Sequence, residues 1–86
     1  MLLVVDIGNS NIVFGMYEGS ELAASWRITS RLNATVDEYI VMMGMLLERA
    51  DMSDAVDAAV LSSVVPPLTQ KIERVLLYDL HGFKLL

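Results

Sequence analysis

Residues 6–11 read Asp6, Ile7, Gly8, Asn9, Ser10, Asn11, a carboxylate, a glycine and a polar trio set between two apolar runs. A glycine lets backbone amides approach a ligand without interference from a Cβ. Amides converging in such a turn form a nest for phosphate oxygens. The hydroxyl of Ser10 and the amides of Asn9 and Asn11 add donors. Asp6, at the carboxyl end of the first apolar run, could hold magnesium through its waters, since that ion favours one or two carboxylates plus substrate phosphates. The chemistry these parts suit is the binding of a nucleotide's terminal phosphates and its metal. A hairpin whose Asp and Asn merely satisfy their own turn fits the same residues, and local composition leaves both readings open. Two other phosphate and metal loops are excluded. Counted from Asp6, the stretch lacks the sixth-position glycine and twelfth-position acid of an EF-hand, and no G-K-[ST] of a Walker A loop is present.

The remaining chemistry-bearing residues are sparse. Ser62 and Ser63 have no candidate base nearby and His81 is the sole histidine, which argues against a Ser–His–Asp hydrolase. His81 suits the carboxyl end of a helix, where positive charge is favoured. There is no cysteine, hence no disulfide frame and no thiolate metal site. Net charge is −5 and the six Lys and Arg are scattered. Nucleic acid is therefore a poor partner, because phosphate neutralisation needs clustered positive charge. Arg27 and Arg31 are read as a solvated strand end, and Trp26 as core packing rather than a stacking platform. The N-A-T at Asn33 is read as a chance sequon. The opening M-L-L-V-V lacks a positive n-region and meets Asp6 too soon for a signal peptide. No run approaches the roughly 18 apolar residues of a membrane helix, so no membrane role is expected.

These residues need elements to position them. Residues 1–7 form a continuous apolar run, read as a buried strand. Residues 11–17, rich in Val, Phe and Tyr, read as a second strand, joined to the first by a turn whose Gly and Asn tolerate positive φ. After a turn at 18–20, residues 21–29 read as a third strand with Leu22, Ala24 and Trp26 on one face. Thr35 and Glu38 then match a capping box. Val36, Tyr39, Ile40, Met43, Leu46, Leu47 and Ala50 follow at helical spacing, with Met42, Met43 and Met45 as core filler. Residues 57–65 read as a fourth strand. Pro66 and Pro67 end it, and Pro67 suits a first helical turn. Leu68, Ile72, Val75, Leu76 and Leu80 make the buried stripe of a second helix with Gly82 at its cap. Residues 83–86 look like the opening of another strand. The order β-β-β-α-β-α-(β) predicts an α/β fold, a mixed sheet with helices on its faces. At 86 residues the chain is one small domain, yet 55% is hydrophobic and mean hydropathy is +0.52. That excess is read as surface belonging against another part of a longer chain or a partner. Val64 or Val65, where the fourth strand ends, could border a substrate site.

Four segments in order carry a family likeness: D-I-G-N-S-N after M-L-L-V-V, then S-W-R-I-T-S, T-V-D-E-Y and S-S-V-V-P-P-L-T. Together they resemble the amino-terminal portion of type III pantothenate kinases, within the acetate kinase, sugar kinase, Hsp70 and actin superfamily. The resemblance covers essentially the whole chain. It implies a duplicated ribonuclease-H-like fold, with residues 1–86 as most of the first copy, an amino-terminal ATP phosphate-binding subdomain of a longer chain. It implies ATP-dependent phosphorylation of pantothenate in coenzyme A biosynthesis. The family's phosphate-binding segment falls on Asp6, Ile7, Gly8, Asn9, Ser10, Asn11, Ile12 and Val13, with Asp6 meeting Mg2+ through water. The implied cofactors are ATP, Mg2+ and a monovalent cation, K+ or NH4+. The implied setting is a cytoplasmic homodimer binding ATP and pantothenate, with no nucleic acid and no membrane.

One departure is plain. The family's catalytic base belongs to a G-x-D-R segment, and this sequence contains none. No catalytic residue is therefore assigned, and the chain alone is expected to be inactive. Other readings of the same likeness are a non-enzymatic, transcription-linked relative, a kinase of another substrate, and a truncated structural module.

Overall fold

The computed structural model describes residues 1–78 and 84–85. Its elements in chain order are β1 (Leu2–Ile7), β2 (Asn11–Glu18), β3 (Glu21–Thr29), α1 (Val36–Arg49), β4 (Ala58–Ser63), α2 (Pro66–Tyr78) and β5 (Lys84–Leu85). The strands form one mixed sheet in the order β3-β2-β1-β4-β5. β2 runs antiparallel to both β1 and β3, while β1, β4 and β5 are mutually parallel. The α/β class and the element order follow the expectation. The proposed helix cap at Gly82, the stripe residue Leu80, His81 and the strand residues Phe83 and Leu86 lie outside the described residues.

Both helices cover the same face of the sheet. Leu3, Val5 and Ile7 of β1, Ile12, Phe14 and Met16 of β2, and Ala59 of β4 meet Tyr39, Met43 and Leu47 of α1 and Leu68, Ile72, Val75 and Leu76 of α2 in one core. The helices do not divide between the two faces as a mixed sheet had suggested. Leu2, Val4, Val13, Tyr17, Ala58 and Val60 point to the uncovered side and stay half-buried. β1 is accordingly not buried throughout. It alternates between core and open face, because a strand's side chains project to opposite sides in turn.

Two local devices set the positions of side chains. Opposite Met16 and Tyr17 the β2–β3 register shifts, so Ala24 pairs with Met16 and Leu22 with Tyr17. The extra residue is a β-bulge, which flips the face of everything beyond it. Leu22 therefore does not share a face with Ala24 and Trp26. It lies 52% exposed on the open side, over Gly15, whose Cβ would sit 2.9 Å from Leu22 Cδ1. Trp26 remains on the helix side and stacks on Phe14 with ring centroids 5.2 Å apart.

α1 begins where the sequence places its cap. Thr35 Oγ1 accepts from the Glu38 N–H at 3.1 Å, and Glu38 Oε1 accepts from the Thr35 N–H at 3.1 Å. This reciprocal pair satisfies two donors that a helix start leaves open. The helix ends in a Schellman arrangement, Asp51 N–H to Glu48 O and Met52 N–H to Leu47 O, both 2.9 Å. Asp51 holds the left-handed φ of 58° that this ending requires. Of the three methionines expected as filler, only Met43 is fully buried. Met42 is half-buried and Met45 is exposed, because α1 is covered on one side only.

Candidate functional site

The carboxyl ends of β1, β3 and β4 and the amino end of β2 meet at one edge of the sheet. Ligands of open α/β sheets bind outside the carboxyl ends of their strands. The turn between β1 and β2, residues 8–10, lies at this edge.

Backbone hydrogen bonds fix the turn from three directions. The Gly8 N–H donates to Asn11 O at 2.9 Å, closing the hairpin. From β4, the Val64 N–H donates to Ile7 O at 3.1 Å. From the end of β3, Ser30 donates twice, by Oγ to Gly8 O at 2.7 Å and by its N–H to Ser10 O at 2.9 Å. The carbonyls of Ile7, Gly8, Ser10 and Asn11 are thus occupied. The N–H groups of Asn9 and Ser10 have no acceptor among the described residues. Both residues are exposed. Within the turn, the Gly8 and Ser10 carbonyls are spent, Asn9 O accepts no bond among the described residues, and two unspent N–H donors remain, donors of the kind that can receive an anion.

Gly8 contributes in a different way from the one expected. Among the described residues only Gly19 and Asp51 have positive φ. The turn therefore uses no left-handed residue. What Gly8 provides is space, since a Cβ there would stand 3.1 Å from Asn11 O, closer than ordinary contact.

The candidate residues separate by face. Asp6 is exposed on the open side of the sheet. Its neighbours in register are Val13 on β2 and Ser62 on β4. No hydrogen bond or ion pair engages the Asp6 carboxylate among the described residues, the one ion pair found there being Met1 with Asp57. Arg27, paired with Val13, shares the same row two strands away. At about 4.8 Å per strand their backbones lie roughly 10 Å apart, and no ion pair joins the two side chains, though the spacing is within the range of charge attraction. Val13 shares the open face with Asp6. Ile7 and Ile12, in contrast, are fully buried in the core, so only their backbone can face a ligand. Asn11 is half-buried beside Thr29.

Among the described residues there is no cluster of three or more His, Cys, Asp or Glu able to hold a metal. No helix among them is long and apolar enough to cross a membrane. Val64 is 70% exposed at the end of β4, whereas Val65 is buried. Arg31 is exposed. Ser63 turns inward on its own chain, its Oγ accepting from the Val65 N–H at 3.0 Å, which removes it further from any nucleophilic role.

Sequence reasoning names Ser30 only as the last residue of S-W-R-I-T-S and gives it no role at the site. Nothing in its type distinguishes it from other serines. Its signal lies in the meander, because three consecutive antiparallel strands return the end of the third to the start of the second.

Comparison with known proteins gives a consistent family. The model of type III pantothenate kinases matches residues 2–85. Relatives bearing that name include one from Pelobacter propionicus, 50% identical over 76 residues, covering 87% of this chain and 30% of the relative. One from Syntrophotalea carbinolica is 49% identical over 74 residues, covering 85% of this chain and 29% of the relative. A third, from Geobacter sulfurreducens, is 45% identical over 75 residues, with shares of 86% and 29%. The chain spans about 30% of the length of the curated relatives it matches.

Proposed function

This chain belongs to the type III pantothenate kinase family, and from that premise we propose that it supplies the ATP phosphate-binding part of a pantothenate kinase. The observation that carries the reading is the pair of N–H groups at Asn9 and Ser10 with no acceptor among the described residues, together with an exposed Asp6 carboxylate that has no partner among them. The donors face phosphate oxygens, and the carboxylate faces the cation that accompanies them.

The reaction is in-line transfer of the γ-phosphoryl group of ATP to the primary hydroxyl of pantothenate. Such transfer depends on positioning and charge stabilisation rather than on covalent help from the protein. This chain's part is to hold the phosphates still through the backbone at Gly8–Asn11, with Ile7 and Ile12 anchoring the two strands in the core. The hydroxyl proton goes to a carboxylate base that this sequence does not contain, since it has no G-x-D-R segment. The chain alone is accordingly inactive.

Magnesium fits these residues in one way. A single exposed carboxylate, with no cluster of acids around it among the described residues, suits an ion that arrives with the nucleotide and keeps most of its waters. When bound, the ion neutralises phosphate charge. The sheet order β3-β2-β1-β4-β5, with β2 alone running against the rest, supports a ribonuclease-H-like subdomain. Coverage of about 30% of each relative, less than half, is consistent with residues 1–86 being most of the first copy of a duplicated fold. The monovalent cation, homodimer and cytoplasmic location come with the family and rest on no residue of this chain.

The test is a chimera in which this chain replaces the matching segment of the Pelobacter propionicus relative. It should phosphorylate pantothenate with magnesium ATP. Asp6→Asn in the chimera should lower kcat/KM by at least about 100-fold, the loss of roughly 2.7 kcal/mol of transition-state stabilisation. Its thermal midpoint should stay within about 2 °C, because Asp6 has no partner to lose among the described residues. A folded chimera with unchanged pantothenate kinetics in the Asp6→Asn form would remove the assigned role.

A further inference from the structure

We propose that Ser30 is a positioning residue that sets the direction in which the 8–10 turn presents its amides, an inference that rests on the phosphate-binding reading above. A trans peptide unit is planar, with its C=O and the following N–H pointing in opposite directions. Holding one end therefore aims the other. Ser30 Oγ holds Gly8 O at 2.7 Å, which turns the Asn9 N–H away from β3. The Ser30 N–H holds Ser10 O at 2.9 Å, which turns the Asn11 N–H away likewise. One residue outside the turn thus orients two of its peptide planes.

Without that hold the turn has an alternative. Gly8 has no side chain to hinder rotation of its peptide units. A rotated 8–9 unit would present a carbonyl oxygen to the phosphate in place of a donor. A carbonyl facing an anion repels it, so the order of the turn and its affinity for phosphate are one property. The hold is supported from behind. Ser30 leads into Arg31, whose backbone N–H and C=O are both bound by the hydroxyl of Tyr39, at 2.9 and 2.8 Å. Tyr39 is fully buried in the core. A chain of contacts thus runs from α1 through Tyr39, Arg31 and Ser30 to the turn.

The experiment uses the 86-residue chain, labelled with 15N, with magnesium ATP as the probe, and compares wild type, Ser30→Ala and Ser30→Thr. Ser30→Ala removes the Oγ bond and leaves the N–H bond to Ser10 O. Ser30→Thr keeps the hydroxyl. In the wild type, backbone order parameters at Asn9 and Ser10 should match the rigid value of about 0.85, and in Ser30→Ala they should fall below about 0.6. Magnesium ATP should shift the Asn9, Ser10 and Asn11 amide signals in the wild type. Ser30→Ala should weaken that binding about threefold to tenfold, the equivalent of one hydrogen bond. Ser30→Thr should restore both properties. Ser30→Ala with wild-type order and affinity overturns the positioning role and leaves the phosphate-binding reading standing. So does a Ser30→Thr form that behaves like Ser30→Ala. Magnesium ATP that shifts amides elsewhere and none at 9–11 overturns the phosphate-binding reading itself, and with it the purpose of the hold.

Discussion

Replacing Tyr39 by Phe isolates a single atom whose loss reaches from the core to the candidate site. Tyr39 is wholly buried, yet its hydroxyl donates to Arg31 O at 2.8 Å and accepts from the Arg31 N–H at 2.9 Å. The ring fills the same space in Phe, so packing is retained and only the two hydrogen bonds go. Each is worth about 0.5–1.5 kcal/mol net, with more lost where a partner is left dry. Both partners are only part-buried, so water repairs some of the loss. The expected cost is about 2 kcal/mol, the sum of two ordinary bonds. For a domain of this size that is a fall of roughly 10 °C in Tm. Urea unfolding followed by Trp26 fluorescence measures it directly, since Trp26 is the only tryptophan and stacks on Phe14. The midpoint should move with no change in slope, as a pure stability change requires. A loss below about 0.5 kcal/mol would refute the reasoning, since it lies under the range of even one such bond. Tyr39→Leu, which discards the ring as well, should cost clearly more. Equal losses would mean that the hydroxyl alone carries the effect and the ring adds nothing to packing.

Three further outcomes are expected. Thr35→Ala should cost about 1 kcal/mol, the usual value of a lost cap, read as a lower urea midpoint. Asp51→Gly should stabilise by about 0.5–1 kcal/mol, because glycine takes the left-handed φ without strain and a carboxylate leaves the negative end of α1. Its urea midpoint should rise, and a fall would mean that Asp51 makes a favourable contact of its own. Gly8→Ala should cost about 1 kcal/mol, at the low end of overpacking, because its Cβ presses on Asn11 O at 3.1 Å. The same variant should bind magnesium ATP more weakly in an amide titration, and unchanged shifts at Asn9 and Ser10 would sink the close-approach role of Gly8.

The parts of this fold that were legible in the sequence are those set by local chemistry. Thr35 and Glu38 announce the start of α1 by type and spacing, and Tyr39, Met43 and Leu47 repeat with the period of its buried stripe. Pro66 and Pro67 mark the start of α2 in the same way. What was not legible depends on pairing. The bulge opposite Met16 and Tyr17 leaves no mark in composition, so Leu22 reads as inward until the register is known. The covering of one face by both helices follows from the strand order, which periodicity does not carry. At the site, the run from Asp6 to Asn11 was visible because a carboxylate and small polar residues interrupt an apolar chain. Its division into backbone at Ile7 and Ile12 and side chain at Asp6 and Val13 was not, because it depends on which face each residue takes. Ser30 was invisible for a related reason: its partners are carbonyl oxygens 20 and 22 residues away.

The open face of the sheet explains both the apolar excess of the chain and the place of its site. Leu2, Val4, Val13, Ala58 and Val60 supply apolar surface that neither α1 nor α2 covers among the described residues, and these residues contribute to the mean hydropathy of +0.52. A parallel sheet is normally apolar on both sides, so the excess is a property of the sheet and not of a generous core. That pattern breaks one row before the strands end. Val4 and Val60 lie side by side, and the next outward pair is Asp6 and Ser62. A carboxylate buried without a partner carries a penalty far above that of an exposed valine. The Asp6 row therefore stays in water or meets a cation, while the rows before it gain from being dry. The turn at 8–10, with its amides turned outward, continues from that row. Polarity thus begins where the carbonyls of Ile7, Gly8 and Ser10 are tied back by Ser30 and Val64, at the edge of the sheet for which phosphate binding is proposed, and not at its middle.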